Sequence, residues 1–488
     1  MSFANPYPGS DYDQRWRGLV YPADYQNPRA AGKYHLIVIG AGPAGLVTAI
    51  AAAGLGARVA LIEKSAMGGD CLNVGCVPSK ALLEFTTERA HTDCFDEAFE
   101  WLRLVRSRIA EHDSVQRFAE AGVDVHLGAA RFVAEDSVEV EGVELSARRI
   151  VIATGARAAL PPIPGLAESK PLTNETVFDL RERPRRLAII GGGPIGCELA
   201  QALSRMNVEV HLFEAADRVL SRETREAGEI VGGALQRSGI SLHLNASVSS
   251  VARRGADVVV TANGAEIAAD EVLVAAGRKA NTDDLNLAAA GVRTGAAGLI
   301  AVDDYLRSTN RRIYAAGDVC AKLQFTHNAD AHARIVVQNA LFFPSATTRK
   351  LIIPHCTYTD PEVAQVGQSR AELEHSGVDF DAYRVAFGEL DRGKAQGDEH
   401  GFAEVLSARK NAKILGATIV GRDAGEQLAA LCVAMTNGLA LGSFAKTVLP
   451  YPTRSEYLRR MADEFNRSRL TPMARRLFGA WFRWNTRS

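Results

Sequence analysis

Residues 68–80 read Gly-Gly-Asp-Cys-Leu-Asn-Val-Gly-Cys-Val-Pro-Ser-Lys, placing Cys71 and Cys76 five positions apart where a helix should begin. Three chemistries are open to two sulfurs at that spacing: a redox disulfide, half of a soft-metal site, or two inert core thiols. On a regular α-helix, residues five apart have Cα atoms about 8.7 Å apart and side chains about 140° from one another. A disulfide needs about 4.4–6.8 Å. A bridge therefore requires a broken first turn, and Gly75 and Pro78 permit one. A metal site would need two further ligands, and His91 and Cys94 lack a paired spacing, so no metal centre is expected.

The elements that must hold these thiols are legible on either side. Residues 36–63 align without a gap on residues 187–214 at an offset of 151, with 11 of 28 positions identical, where average residue usage gives about two by chance. Each copy is a strand, a G-x-G-x-x-G turn, a helix and a second strand ending in an acid. The glycines are Gly40, Gly42 and Gly45 in one copy and Gly191, Gly193 and Gly196 in the other, with Glu63 and Glu214 each 23 positions after the first glycine. Such glycines let the backbone turn tightly against a pyrophosphate seated on a helix N-terminus, while the carboxylate accepts hydrogen bonds from a ribose. Two dinucleotides are expected. The thiols beside the first copy suggest a flavin there and a soluble nicotinamide at the second. Glu214 followed by Ala215 offers a ribose acceptor and no cation for a 2′-phosphate, favouring NADH; Arg218 and Arg222 leave NADPH open.

The bulk numbers agree with this. The 488 residues suffice for about three domains, and 47% hydrophobic residues is the content of a globular chain with a sizeable core. A formal net charge of −1 gives no pull toward nucleic acid. Seven irregularly spaced cysteines do not make a secreted disulfide framework, so a reducing cytoplasm is expected. Residues 1–33 lack the apolar run of a signal peptide and read as an arm over the first domain. The apolar run 36–62 is interrupted by Gly40, Gly42, Pro43 and Gly45, and parses as strand, turn, helix and strand, not a membrane span. Residues 467–488 carry six arginines and no acid. Met473, Leu477, Trp481 and Trp484 share one helical face, with Arg476 and Arg483 elsewhere. That pattern suits an anionic membrane surface, a partner groove or the chain's own dimer.

The segment G-G-x-C-x4-G-C-x-P-S-K, formed by Gly68, Gly69, Cys71, Gly75, Cys76, Pro78, Ser79 and Lys80, resembles the redox-active signature of the FAD-dependent pyridine nucleotide disulfide oxidoreductases. The similarity spans about residues 34–460 and takes in "IVIATGARA" (150–158), with Thr154 and Gly155, "LVAAGRKAN" (273–281), with Arg278, and "RRIYAAGDVC" (311–320). Ala280 departs from the family's usual proline. The resemblance implies an α/β, glutathione reductase-like chain: two Rossmann-like dinucleotide-binding domains plus an α+β interface domain. The expected boundaries are an arm at 1–33, an FAD domain at 34–162 and 284–348, an NAD(H) domain at 163–283, an interface domain at 349–466 and a basic tail at 467–488.

By the same resemblance, electrons pass from NADH through FAD to a Cys71–Cys76 disulfide. Cys76 is the thiolate beside the flavin and Cys71 the outward interchange thiol. Lys80 is the lysine held near flavin N5 by Glu198. Gly69, Thr154, Gly155, Arg278, Gly317, Asp318 and His327 join the glycine turns in holding cofactor, Asp318 bonding the flavin's ribityl chain. Pro194 stands where glutathione reductases carry a tyrosine gate.

"IIPHCTYTDPEVAQVG" (352–367) and "ILGATIVGRDAGEQLAALCVAM" (414–435) resemble the family's dimerising interface, whose C-terminal segment completes the partner subunit's active site. A twofold homodimer is expected. There the family's H-P-T-x-x-E becomes "YPTRSE": Tyr451 replaces the histidine acid/base and Glu456 keeps its place. A phenol with an ordinary pKa near 10 donates a proton but is a poor base, which argues against efficient turnover of glutathione or lipoamide disulfide.

A tyrosine here, with "FTHNADAHARIVVQNALF" (325–342) and "DRGKAQGDEHGF" (391–402), resembles mercuric-reductase-like proteins, yet no cysteine follows Cys432 to supply their C-terminal pair. His327, His355 and Cys356 are candidate substitute ligands if they face the cleft, and otherwise scaffold. The expected activity is reduction of a small disulfide or a thiophilic metal ion such as Hg(II) or Cu(II). The alternatives are a tail-tethered, redox-responsive flavoprotein with little turnover, a dihydrolipoamide dehydrogenase-like reductase, and an oxygen-using NADH oxidase, disfavoured because that chemistry needs one cysteine.

Overall fold

The computed structural model describes residues 11–30 and 32–486. Of the expected arm, residues 1–10 and 31 lie outside the described residues, as do 487 and 488 of the tail. The chain divides into two units, one of residues 1–221 and 235–351 and one of residues 222–234 and 352–488.

The first unit is built on the strand Tyr34–Ile39, buried at five of its six positions. Leu36 and Val38 enter one apolar core and Ile37 and Ile39 a second on the opposite face. A strand buried on both faces belongs inside a parallel sheet covered on both sides. It pairs in parallel with Val59–Glu63 and Val143–Ile152; Val123–Leu127 and Ile313–Ala315 extend the parallel order. The antiparallel strands Ser137–Val140 and Arg131–Ala134 complete seven strands. The helix Pro43–Gly54, rich in alanine and glycine, packs closely on this sheet.

The sequence repeat reappears as a second parallel sheet. Its four strands run in the order Ser241–His243, Glu209–Phe213, Arg186–Ile190, Glu271–Val274. The helix Pro194–Arg205 follows its glycine turn. Two crossing chains, Ala156–Ala158 and Arg278–Ala280, pair antiparallel in the same unit. The arm contributes a helix, Tyr12–Val20, with Tyr12 and Val20 buried.

In the second unit the strands His355–Thr357, Glu362–Gly367, Ile414–Gly421, Phe402–Ala408 and Phe380–Ala386 form one antiparallel sheet in that order. Helices Ala424–Thr436 and Glu456–Ser468 share its core through Leu428, Leu431, Tyr457, Met461 and Phe465. The architecture is the expected α/β arrangement with an α+β C-terminal domain. No helix among the described residues is long and apolar enough to cross a membrane.

Candidate functional site

In each turn the first and third glycines of the motif stand where only glycine fits. Gly40 has φ +101°, and a Cβ on Gly45 would lie 1.8 Å from the Gly40 carbonyl oxygen. Gly191 has φ +112°, and a Cβ on Gly196 would lie 1.9 Å from the Gly191 carbonyl oxygen. The helices that follow begin at Gly42 and Gly193 with proline in the first turn and no side-chain cap, leaving their leading amides for an external acceptor. The acid at the end of the next strand is clamped identically in both copies. Glu63 accepts from the Ala41 and Ser65 amides at 2.7 and 2.8 Å. Glu214 accepts from the Gly192 and Ala216 amides at 2.7 and 2.8 Å. Each oxygen keeps lone pairs for a ribose. Burial raises the Glu63 carboxyl, opposed by those amides. Both cradles fit the pyrophosphate and ribose of a dinucleotide.

The cysteines follow directly on the first cradle. Gly68 and Gly69 have φ +92° and +57°, and a Cβ on Gly69 would lie 2.5 Å from the Gly42 Cα, so the redox segment rests on the glycine turn itself. The helix Gly69–Asn73 ends at Val74, Gly75 departs from helical geometry with ψ −117°, and a new helix runs Cys76–Thr87. The two thiols thus sit on separate helices on either side of the break, both free, and each shifts the other's proton affinity. The Cys71 thiol, the Thr326 hydroxyl 3.5 Å from Cys76 Sγ and the charge of Lys80 draw the Cys76 thiol well below its ordinary range against the opposing effect of burial. The Cys76 sulfur and burial push Cys71 up.

Lys80 Nζ lies 2.6 Å from Glu198 Oε2, a carboxylate almost withdrawn from solvent. On the other side of Cys71, Asp70 and Asp318 meet Arg278, which also donates to the Ala156 carbonyl at 2.7 Å. Burial lifts Asp318 to about 6, against the pull of Arg278. Gly317, at φ +76°, starts the short turn carrying Asp318. Thr154 donates to the Asn281 carbonyl at 2.7 Å and Asn281 returns a bond to the Thr154 carbonyl, so this threonine and Gly155 pin the two crossing chains together. His327 is exposed and stacked on Phe325.

Tyr451 and Glu456 lie in the second unit, lining a cleft of about 240 Å³ with Pro450, Arg459 and Asp463. The Tyr451 hydroxyl donates to Asp391 at 2.6 Å, and that carboxylate raises the phenol above its ordinary value. Glu456 pairs with Arg460. His355 bonds Glu223 at 3.0 Å and the Cys356 thiol leans on Glu362. Among the described residues no group of three or more His, Cys, Asp or Glu could hold a metal ion.

Several contributors escaped the sequence reading. Asp70 adjoins Cys71, but its partner Arg278 is 208 positions away; Thr326 is 250 positions from Cys76. The arm holds the redox segment: Trp16 Nε1 donates to Asn73 Oδ1 at 2.7 Å, and Asn73 Nδ2 donates to the Met67 and Gly69 carbonyls. Arg106 stacks 4.1 Å from the Trp16 ring, bonds the Asn73 carbonyl and pairs with Asp13. An asparagine inside a C-x4-C spacing was the one signal available.

The sequence profile described as pyridine nucleotide-disulphide oxidoreductase matches residues 34–333, and that family's dimerisation domain matches residues 353–462. A mercuric reductase from Lysinibacillus sphaericus is 35% identical over 453 residues, covering 89% of this chain and 83% of that one. A dihydrolipoyl dehydrogenase from Chlamydia trachomatis is 34% identical over 441 residues, covering 87% and 95%. Among solved structures, the Cu(II) complex of the HOCl-induced flavoprotein disulfide reductase RclA from Escherichia coli has a TM-score of 0.83 at 30% identity, covering 89% of this chain and 99% of that one.

Proposed function

The chain belongs to the pyridine nucleotide-disulphide oxidoreductases, flavoprotein enzymes using FAD and NAD(P)H, and from that premise we propose that its electrons leave through Cys71 to a thiophilic metal ion, with a small disulfide as the second acceptor class. FAD at the first cradle supplies the two-electron link between nicotinamide and sulfur. Gly40, Gly42, Gly45, Glu63, Gly69, Thr154, Gly155, Arg278, Gly317, Asp318 and His327 hold or border it. Gly191, Gly193, Gly196 and Glu214 bind NADH. Lys80, oriented by Glu198, keeps a positive charge beside the Cys76 thiolate. We place the domain boundaries at 162/163, 283/284 and 348/349.

The observation that carries this reading is the thiol pair set on either side of a helix break beside the first cradle, with the Thr326 hydroxyl 3.5 Å from Cys76 Sγ and Cys76 drawn toward the thiolate while Cys71 is pushed up. The preference for metal rests on Tyr451. Exchange with a disulfide releases a thiolate that needs a proton, and turnover needs a base to take it back. A phenol raised by Asp391 stays protonated at neutral pH, so it can lend a hydrogen bond to the leaving sulfur but offers almost no phenolate to act as a base. A soft metal ion displaces the Cys71 proton to solvent on binding sulfur and leaves no departing thiolate to protonate. One relative is a mercuric reductase and one structural neighbour is a Cu(II) complex, which supports the same class. The reading extends to a twofold homodimer in which Tyr451 and Glu456 serve the partner's site, and to a peripheral membrane contact through residues 467–488.

Anaerobic NADH oxidation by the holoenzyme, followed with Hg(II), Cu(II), lipoamide and glutathione disulfide, tests the proposal. Metal ions are expected to support the highest kcat/KM. Cys71→Ser should retain the long-wavelength thiolate-to-flavin absorption and lose acceptor reduction, while Cys76→Ser should lose both. Full acceptor turnover by Cys71→Ser sinks the assignment.

A further inference from the structure

The helix Pro472–Asn485 carries no buried residue. Met473, Leu477, Phe478, Trp481, Phe482 and Trp484 are each more than half exposed. At about 100° per residue, these six with Ala474 and Ala480 cover an arc of roughly 200° that is apolar except for the terminal Asn485, and Pro472, Arg475, Arg476, Gly479 and Arg483 fill the remainder. Thr471 caps the helix through the Ala474 amide at 3.1 Å and Pro472 opens its first turn, so the start of the helix is built rather than frayed. The Trp481 and Trp484 rings lie 5.2 Å apart on the apolar face.

Water is a poor partner for a continuous patch of this kind. A groove in another protein takes a narrower stripe of i, i+3, i+4 and i+7 anchors, whereas this arc exceeds half the circumference. The same helix of a second copy would bring like charges together. The segment 467–488 holds six arginines and no acid in a chain whose formal charge is −1, so the rest of the molecule is net acidic and the cationic charge is concentrated on this tail. Aromatic residues on one face and arginine on the other match the boundary between acyl chains and anionic headgroups. Fourteen residues make a rod about 21 Å long, too short for a hydrocarbon core about 30 Å thick. It must lie in the plane.

We propose that Pro472–Asn485 is an interfacial anchor that docks this enzyme on anionic lipid, with Leu477, Trp481 and Trp484 sunk into the acyl boundary and Arg475, Arg476 and Arg483 at the headgroups. This gives lipid chemistry to the peripheral contact read above and does not depend on the redox assignment.

Flotation of the full-length holoenzyme with vesicles of phosphatidylcholine alone, or of phosphatidylcholine mixed with phosphatidylglycerol, tests it. Binding is expected to the mixed vesicles, with a blue shift of tryptophan emission and loss at high salt. Trp481→Ser/Trp484→Ser, and separately Arg475→Glu/Arg476→Glu/Arg483→Glu, should lower the bound fraction at least tenfold while NADH-dependent turnover in solution is unchanged. No binding to mixed vesicles, or binding untouched by both variants, overturns the anchor. Conversion of the homodimer to monomer by Trp481→Ser/Trp484→Ser also overturns it, because the face would then be a subunit contact. Flotation needs no turnover, so a failed acceptor assignment leaves this result interpretable.

Discussion

Cys76 owes its low proton affinity first to the thiol opposite it and next to a hydroxyl and an ammonium, which have separable signatures. In a Cys71→Ser background, where a hydroxyl donor remains, iodoacetamide alkylation should rise through the folded pKa of Cys76 and level off above it. Lys80→Met removes a stabilising cation and leaves Glu198 unopposed, moving the midpoint up by about one pH unit. Glu198→Gln removes the opposing charge and moves it down. A Lys80→Met midpoint that stays put would show that Thr326 and residue 71 alone hold the thiolate. At the second cradle, Glu214 presents a clamped carboxylate while Arg218 is engaged by Asp217 and the Ser221 carbonyl. Glu214→Ala should raise KM for NADH about tenfold, the loss of about 1.4 kcal/mol, and narrow the preference over NADPH in steady-state kinetics.

At the scale of elements, the decisive object is the break between Gly69–Asn73 and Cys76–Thr87. A Cβ on Gly75 would sit 2.8 Å from the Asp70 carbonyl oxygen, so Gly75→Ala should displace the interchange thiol and slow acceptor reduction more than flavin binding, seen as a drop in kcat with flavin content retained. The arm braces the same break from outside the region matched by the family profile. Trp16→Phe keeps a ring for Arg106 and deletes the bond to Asn73; a loss of about 1 kcal/mol is expected from denaturant midpoints. Asn73→Ala also unties Met67 and Gly69 and should cost more and accelerate alkylation of Cys71. If both variants alkylate like the parent, the arm stabilises the fold without positioning the thiols.

For the whole molecule, a dimerisation domain covers residues 353–462, and sedimentation should give twice the 52.4 kDa chain mass. If each site takes the partner's C-terminal segment as proposed, mixing Cys71→Ser subunits with Tyr451→Phe subunits should restore about a quarter of the parent activity toward glutathione disulfide, the acceptor whose reduction needs Tyr451, since half the dimers are mixed and each holds one intact site. No recovery from two inactive parents would mean that Tyr451 acts within its own chain or not at all.

What could be read without coordinates were features whose cause is local. The repeat at offset 151, the glycines and the terminal acids Glu63 and Glu214 are each dictated by one turn of backbone, so spacing alone carried them. Gly75 and Pro78 likewise permitted the broken turn that a bridge between the thiols requires. Tyr451 in place of a histidine was legible because a single substitution changes a pKa class. Folding alone decided which distant groups surround the sulfurs: Thr326, the Arg278 bridge to Asp70 and Asp318, and the Trp16 brace on Asn73. Those contacts depend on where two parallel sheets and an arm bring chain segments separated by 57 to 250 positions, and no local periodicity encodes such an approach.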